Sequence, residues 1–120
     1  MLIRQEDIKA INFEGLLIHD FTTGQATPAS FAVIEVPAGV KHREAWSKRS
    51  DKYYYVVSGQ LCFALDGVEY LLSKGSFCRV SQGQKFSYRN SSSEPVQLIL
   101  VHAPSFDLES EIFTETKFEY

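Results

Sequence analysis

The stretch "GVKHREAWSKRSDKYYYVVSG", residues 39–59, decides the fold, because a glycine stands at each end of it. A second stretch that begins with glycine, "GSFCRVSQGQKFSYRN", covers residues 75–90. Between the two, Asp66-Gly67 separates two apolar runs with the residue pair that favours a type I′ hairpin turn. Since glycine takes positive φ at little cost, we expect these glycines to serve tight reversals between strands.

Short apolar, β-branched and aromatic runs, each closed by turn residues, fill the rest of the chain. This pattern predicts an all-β domain with antiparallel strands, either a sandwich or a barrel. We expect the strands at 14–21, 30–36, 52–57, 60–65, 68–72, 76–80, 85–90 and 96–102. Helical spacing appears only as single turns within 3–8 and 106–113.

Length and composition predict one globular domain over residues 1–120, with 44% apolar and 22% charged residues. No apolar run is long enough to span a bilayer and no secretory start is present, so we expect a cytoplasmic protein that does not engage a membrane. The net charge of −3 argues against nucleic-acid binding. Cys62 and Cys78 fit no zinc or redox motif, so we expect reduced thiols.

Together the two stretches resemble the two sequence motifs of the cupin superfamily, a family of jelly-roll β-barrels. Gly39 and Gly59 occupy the framing positions of the first motif, and Gly75, Gly83 and Asn90 match the second. The resemblance covers about residues 30–107. It implies an all-β, cupin-type jelly-roll β-barrel in a single domain, with N-terminal strands in 10–36 and an acidic tail at 107–120.

The metal ligands of the family are replaced in this sequence. By the resemblance, they would fall at Ala45, Ser47, Lys52 and Phe86. Alanine and phenylalanine have no lone pair to offer, and a lysine ammonium would repel a divalent cation. We therefore expect no metal and no cofactor in the barrel.

A displaced metal site is an alternative, because His42 and Glu44 have the spacing of a histidine and a carboxylate ligand and His102 could add an imidazole. His42 and Glu44 lie three positions ahead of the family's histidine positions, which is about 10 Å of extended chain. We expect them instead to form a solvated pair in a loop. For His19, in an apolar strand, we expect a structural role.

The resemblance makes Lys52 and Phe86 face inward, and strand alternation adds Tyr54 and Tyr88 to the same cavity. Alternation also makes Arg79 and His102 candidates for the interior. The predicted ligand pocket therefore comprises Lys52, Tyr54, Arg79, Phe86, Tyr88 and His102. Such an aromatic and cationic pocket suits a small polar or anionic ligand, for example a sugar or a sugar phosphate. Alternatively, the aromatic side chains fill the barrel and leave no cavity.

The leading functional prediction is a metal-independent cupin that binds a small molecule. A metal-free isomerase, epimerase or cyclase is the alternative, with His102, Tyr54 and Tyr88 as weak catalytic candidates beside Lys52. A third alternative is an assembly or regulatory module that works through its surface. The residues leave open whether the chain is an enzyme and which ligand it takes. By the resemblance we expect a homodimer, with the strand "GLLIHDF", residues 15–21, as the edge.

Overall fold

The computed structural model describes residues 1–115; residues 116–120, the end of the predicted acidic tail, lie outside the described residues. Two antiparallel sheets face each other. The strands are β1 (Ile11–Phe13), β2 (Leu16–Asp20), β3 (Ser30–Val36), β4 (Lys41–Ser47), β5 (Asp51–Ser58), β6 (Gln60–Leu65), β7 (Val68–Ser73), β8 (Phe77–Val80), β9 (Phe86–Arg89), β10 (Val96–Ala103) and β11 (Glu111–Phe113). The first sheet has the order β1-β2-β3-β10-β5-β8, and the second has the order β11-β4-β9-β6-β7.

The all-β jelly-roll prediction is confirmed, and every predicted strand is present. Three strands were missed: β1, β4 and β11. Single 3₁₀ turns stand at Gln5–Asp7 and Leu108–Ser110, inside the two segments with helical spacing. Because β1 pairs along the outside of β2, the prediction that "GLLIHDF" forms the sheet edge is wrong. Within residues 1–115, no helical segment has the length and hydropathy that a membrane span requires.

Two of the glycine turns have a clear stereochemical cause. Asp66 and Gly67 have φ of 49° and 81°, which confirms the type I′ hairpin between β6 and β7. Gly59 has φ of 86°, and a Cβ atom there would lie 2.9 Å from the Pro95 carbonyl oxygen. The first motif therefore ends on glycine because the start of β10 passes directly over it.

The core lies between the sheets and is made by alternate residues of their strands. In β8, Cys78 and Val80 are buried, whereas Phe77 and Arg79 are exposed. The prediction that Arg79 faces the interior is therefore wrong, because the opposite set of alternating residues faces the core. A guanidinium at this position also stays in water, where it needs no buried partner.

Candidate functional site

A cavity of about 290 Å³ lies between the two sheets, so the aromatic side chains do not fill the interior. Its wall is mostly apolar, with contributions from β1, β2, β3 and β10 and from Phe106 and Leu108 of the C-terminal segment. A few polar side chains converge on it, which is the usual composition of a small-molecule site. The groups that matter below are Asp20, His42, Lys52, Tyr88, His102 and Glu111.

A β-bulge directs His42 into this cavity. In the pairing of β4 with β9, His42 lies opposite Tyr88, and Ala45 lies opposite Phe86. The register shifts between these two pairs by one residue, which reverses the alternation of side chains along β4. His42 and Ala45 therefore both face the interior. The expectation that His42 belongs to a solvated loop is wrong, because residues 41–47 form a strand.

The His42 imidazole lies among aromatic rings. Its centroid is 4.9 Å from that of Phe86, 5.2 Å from that of Tyr88 and 5.9 Å from that of Phe113. Nδ1 lies 2.6 Å from the Arg43 carbonyl oxygen, so Nδ1–H donates this hydrogen bond and Nε2 keeps its lone pair. Burial lowers the pKa of His42 to about 4. At neutral pH the site therefore contains an uncharged imidazole whose Nε2 forms no hydrogen bond with residues 1–115.

Two tyrosine hydroxyls accompany this imidazole. The Tyr88 hydroxyl is buried, and no residue among 1–115 forms a hydrogen bond with it. Tyr54 lines the same cavity, with its ring 5.8 Å from that of Tyr88. Burial raises the pKa of both tyrosines, so each keeps its proton and can donate it in a hydrogen bond. A buried hydroxyl group without a hydrogen-bond partner costs free energy, and a bound ligand could form the missing hydrogen bond.

A lysine and a histidine of the first sheet meet a glutamate of the second sheet at this cavity. Lys52 and His102 are direct cross-strand neighbours in β5 and β10, and Lys52 Nζ lies 2.9 Å from His102 Nε2. The same Nζ forms an ion pair with Glu111, whose strand β11 joins the edge of the second sheet. Burial lowers the pKa of Lys52, and the negative charge of Glu111 offsets only part of this effect. Burial, helped by the Lys52 charge, lowers the pKa of His102 to about 3.

Four of the six predicted pocket residues line the cavity: Lys52, Tyr54, Tyr88 and His102. Phe86 is buried beside it, with Lys52 Nζ 5.3 Å from its ring centre. That these residues bind a ligand stays a prediction.

The displaced metal site is not assembled. The Glu44 carboxylate accepts a hydrogen bond of 2.8 Å from Thr114, on the outer edge of the sheet. Across residues 1–115, no three histidine, cysteine, aspartate or glutamate side chains come together as metal ligands. The alternative that joins His42, Glu44 and His102 is therefore wrong for the described part of the chain.

A jelly roll with glycine-framed motifs and polar groups at an interior cavity defines the cupin class. Residues 32–102 match the family model described as a cupin domain, and the chain belongs to this family. No curated protein matches the chain by sequence.

Among solved structures, the chain is similar to Streptomyces PAC13. A histidine-to-glutamine variant of PAC13 with uridine is 25% identical, covering 93% of this chain and 88% of that chain with a TM-score of 0.80. Another structure of Pac13, described as a unique nucleoside dehydratase, is 24% identical over 96% and 91% of the two chains, with a TM-score of 0.83. Two tyrosine-to-phenylalanine variants of PAC13 with uridine are similarly close in structure.

Ectoine synthase from P. lautus shares the fold at 16% identity, covering 99% of this chain and 93% of that chain with a TM-score of 0.79. At this level of identity the likeness concerns the fold alone.

Proposed function

We propose that this cupin is a metal-independent enzyme that binds a small, ring-bearing polar molecule of the nucleoside class and eliminates water from it. The observation that carries the proposal is the neutral His42 imidazole, whose free nitrogen shares a cavity with the Tyr88 hydroxyl. One group can accept a proton and the other can donate a hydrogen bond. These are the two roles that acid–base catalysis requires.

Elimination of water breaks a carbon–hydrogen bond and a neighbouring carbon–oxygen bond, and it forms a carbon–carbon double bond. His42 Nε2 would take the proton from carbon and return it to the departing hydroxyl group, which leaves as water. Hydrogen bonds from Tyr88 and Tyr54 would orient the substrate and stabilise developing negative charge. A base whose pKa is about 4 is weak, so the carbon–hydrogen bond must be acidic, as it is next to a carbonyl group.

The PAC13 structures support this assignment. The PAC13 variants whose structures contain uridine replace one histidine and two tyrosines. This chain likewise brings one histidine of β4 and two tyrosines of β5 and β9 to a single cavity. Independence of metal is supported by the residues at the family's ligand positions, where Ala45, Ser47, Lys52 and Phe86 stand.

The test is to incubate the purified chain with nucleosides and with nucleosides oxidised to a carbonyl on the ribose, and to detect loss of one water by mass spectrometry. We expect His42→Gln to lower kcat/KM by at least about a hundredfold, and Tyr88→Phe by roughly tenfold. Tyr55→Phe is the matched control, because Tyr55 is exposed on the outer face of β5. Unchanged turnover by His42→Gln, or a stoichiometric transition metal that survives dialysis, contradicts the proposal.

An isomerase, epimerase or cyclase remains the second candidate. The observation that favours it is a set of proton-transfer groups from both sheets, with Lys52 and His102 on the first and His42 and Glu111 on the second. Epimerisation commonly requires that a proton is removed from one face of the substrate carbon and returned to the opposite face. Substrate recovered with unchanged mass in H₂O, but with solvent deuterium in D₂O, would select this function over dehydration.

A further inference from the structure

The charges on the cavity wall predict whether an uncharged or an anionic ligand fits. Of the described residues that line the cavity, Lys52 is the only lysine or arginine. Asp20 and Glu111 each bring a carboxylate, and the two lining imidazoles are uncharged at neutral pH. The formal charges therefore sum to one negative charge. This sum holds whichever of Lys52 and Glu111 carries the proton they share.

Lys52 has little capacity left for an anion. An ammonium group has three N–H donors. One points to His102 Nε2 at 2.9 Å and another to the Glu111 carboxylate. An incoming phosphate would compete with Glu111 for the same ammonium and would also face the charge of Asp20. Nearby Arg43 offers no substitute, since its guanidinium forms two hydrogen bonds with Glu14 and does not line the cavity.

The same wall offers an acceptor for a hydroxyl group at Asp20. Asp20 Oδ1 accepts hydrogen bonds from the backbone N–H and the hydroxyl of Thr22, at 2.9 and 3.1 Å. Among residues 1–115 the other oxygen, Oδ2, has no hydrogen-bond donor. A ribose hydroxyl can donate to a carboxylate and accept from a tyrosine hydroxyl, whereas a phosphate can only accept when fully ionised.

We infer that the cavity selects an uncharged, hydroxyl-bearing ligand and discriminates against the phosphorylated form of the same molecule, with Asp20 and Glu111 as the residues that determine this specificity. The inference rests on the proposed function, from which it takes the nucleoside as ligand class. Of the small polar or anionic ligands that the sequence predicted, it keeps the uncharged polar ones, because the predicted cations are either exposed, as Arg79 is, or already paired, as Lys52 is.

The test compares the dissociation constants of uridine and uridine 5′-monophosphate by calorimetry at neutral pH and moderate salt. In the native chain we expect the monophosphate to bind at least about tenfold more weakly than uridine. Asp20→Asn and Glu111→Gln each remove one negative charge from the wall, and each should shrink this ratio by roughly tenfold. Glu94→Gln removes a charge from an exposed loop outside the cavity and should leave the ratio unchanged.

Equal or tighter binding of the monophosphate to the native chain overturns this inference and leaves the proposed function standing. A ratio that stays the same in both cavity variants overturns it as well. If neither compound binds, the nucleoside class itself fails, and the inference fails with it. Should Glu111→Gln not fold, Asp20→Asn still decides, because the amide oxygen of asparagine can keep the hydrogen bonds from Thr22.

Discussion

Replacing Lys52 with methionine should destabilise the chain strongly, because it leaves Glu111 as a buried charge without its counterion. The two side chains are only 3% and 8% exposed, and Glu111 loses the ammonium with which it pairs. Breaking a buried ion pair by removing one member costs about 3–5 kcal/mol. Depriving His102 Nε2 of its donor adds up to about 1 kcal/mol. For a chain of 120 residues this corresponds to a fall in Tm of roughly 15 °C.

Urea denaturation at pH 7 would measure this loss, and a double-mutant cycle would assign it to the pair. We expect Lys52→Met combined with Glu111→Gln to recover most of the free energy of unfolding, because neither charge is then left buried alone.

The surface pair of Arg89 and Glu69, with side chains 47% and 62% exposed, provides the matched control. Arg89→Met should cost no more than about 0.5 kcal/mol, as exposed ion pairs usually do. A loss below about 1 kcal/mol for Lys52→Met, or strict additivity with Glu111→Gln, would refute the reasoning. Either result would mean that water reaches this pair and that its charges are not confined to the cavity wall.

Three further predictions follow from the same geometry. Because the native pKa of His42 is about 4 and the unfolded value is about 6.5, His42 alone should lower the free energy of unfolding by up to about 3 kcal/mol as pH drops between these values. His102, with a native pKa of about 3, should add a fall of similar size, so urea titrations of His42→Gln should show a shallower but not a flat pH dependence. Gly59→Ala should cost at least about 2 kcal/mol more than Gly39→Ala in thermal unfolding, since both glycines have positive φ but only Gly59 meets backbone within 3 Å. If the chain dimerises through the exposed outer face of the first sheet, Phe77→Asp should shift the sedimentation mass to 13.6 kDa, and a native chain already at that mass contradicts the homodimer.

The fold was predictable because glycine spacing reports local backbone requirements. Gly59 and Gly67 stand where φ is positive, and no other residue type meets that need as cheaply. Period-two alternation then placed Tyr54, Tyr88 and His102 on the inner faces of their strands. These signals are local, and a single sequence contains them in full.

Only part of the candidate site could be predicted. The positions of His42 and Glu111 depend on a bulge and on a long-range strand pairing, which leave no local signal in the sequence. The bulge in β4 adds one residue between His42 and Ala45, and any residue type can occupy such a position. Without it, alternation directs His42 outward. Glu111 lies in a strand of three residues, too short to show periodicity, and reaches Lys52 from 59 positions away in sequence. The prediction for Arg79 was wrong because alternation shows that every second residue of a strand faces the same side, but not which set faces inward.

Two donor types that bind metal ions in other proteins contact an ammonium group at this cavity. His102 and Glu111 offer an imidazole nitrogen and a carboxylate, the donor types that bind metal ions in proteins, but both are directed at the ammonium of Lys52. An internal ammonium cannot polarise a substrate as a divalent ion does, and here its charge is already balanced by Glu111. In the proposed function proton transfer is the task of His42, which the bulge directs into the cavity and which burial keeps uncharged. The proposed function thus pairs the replaced ligand positions Ala45 and Ser47 with an acid–base group, His42, upstream in the same strand.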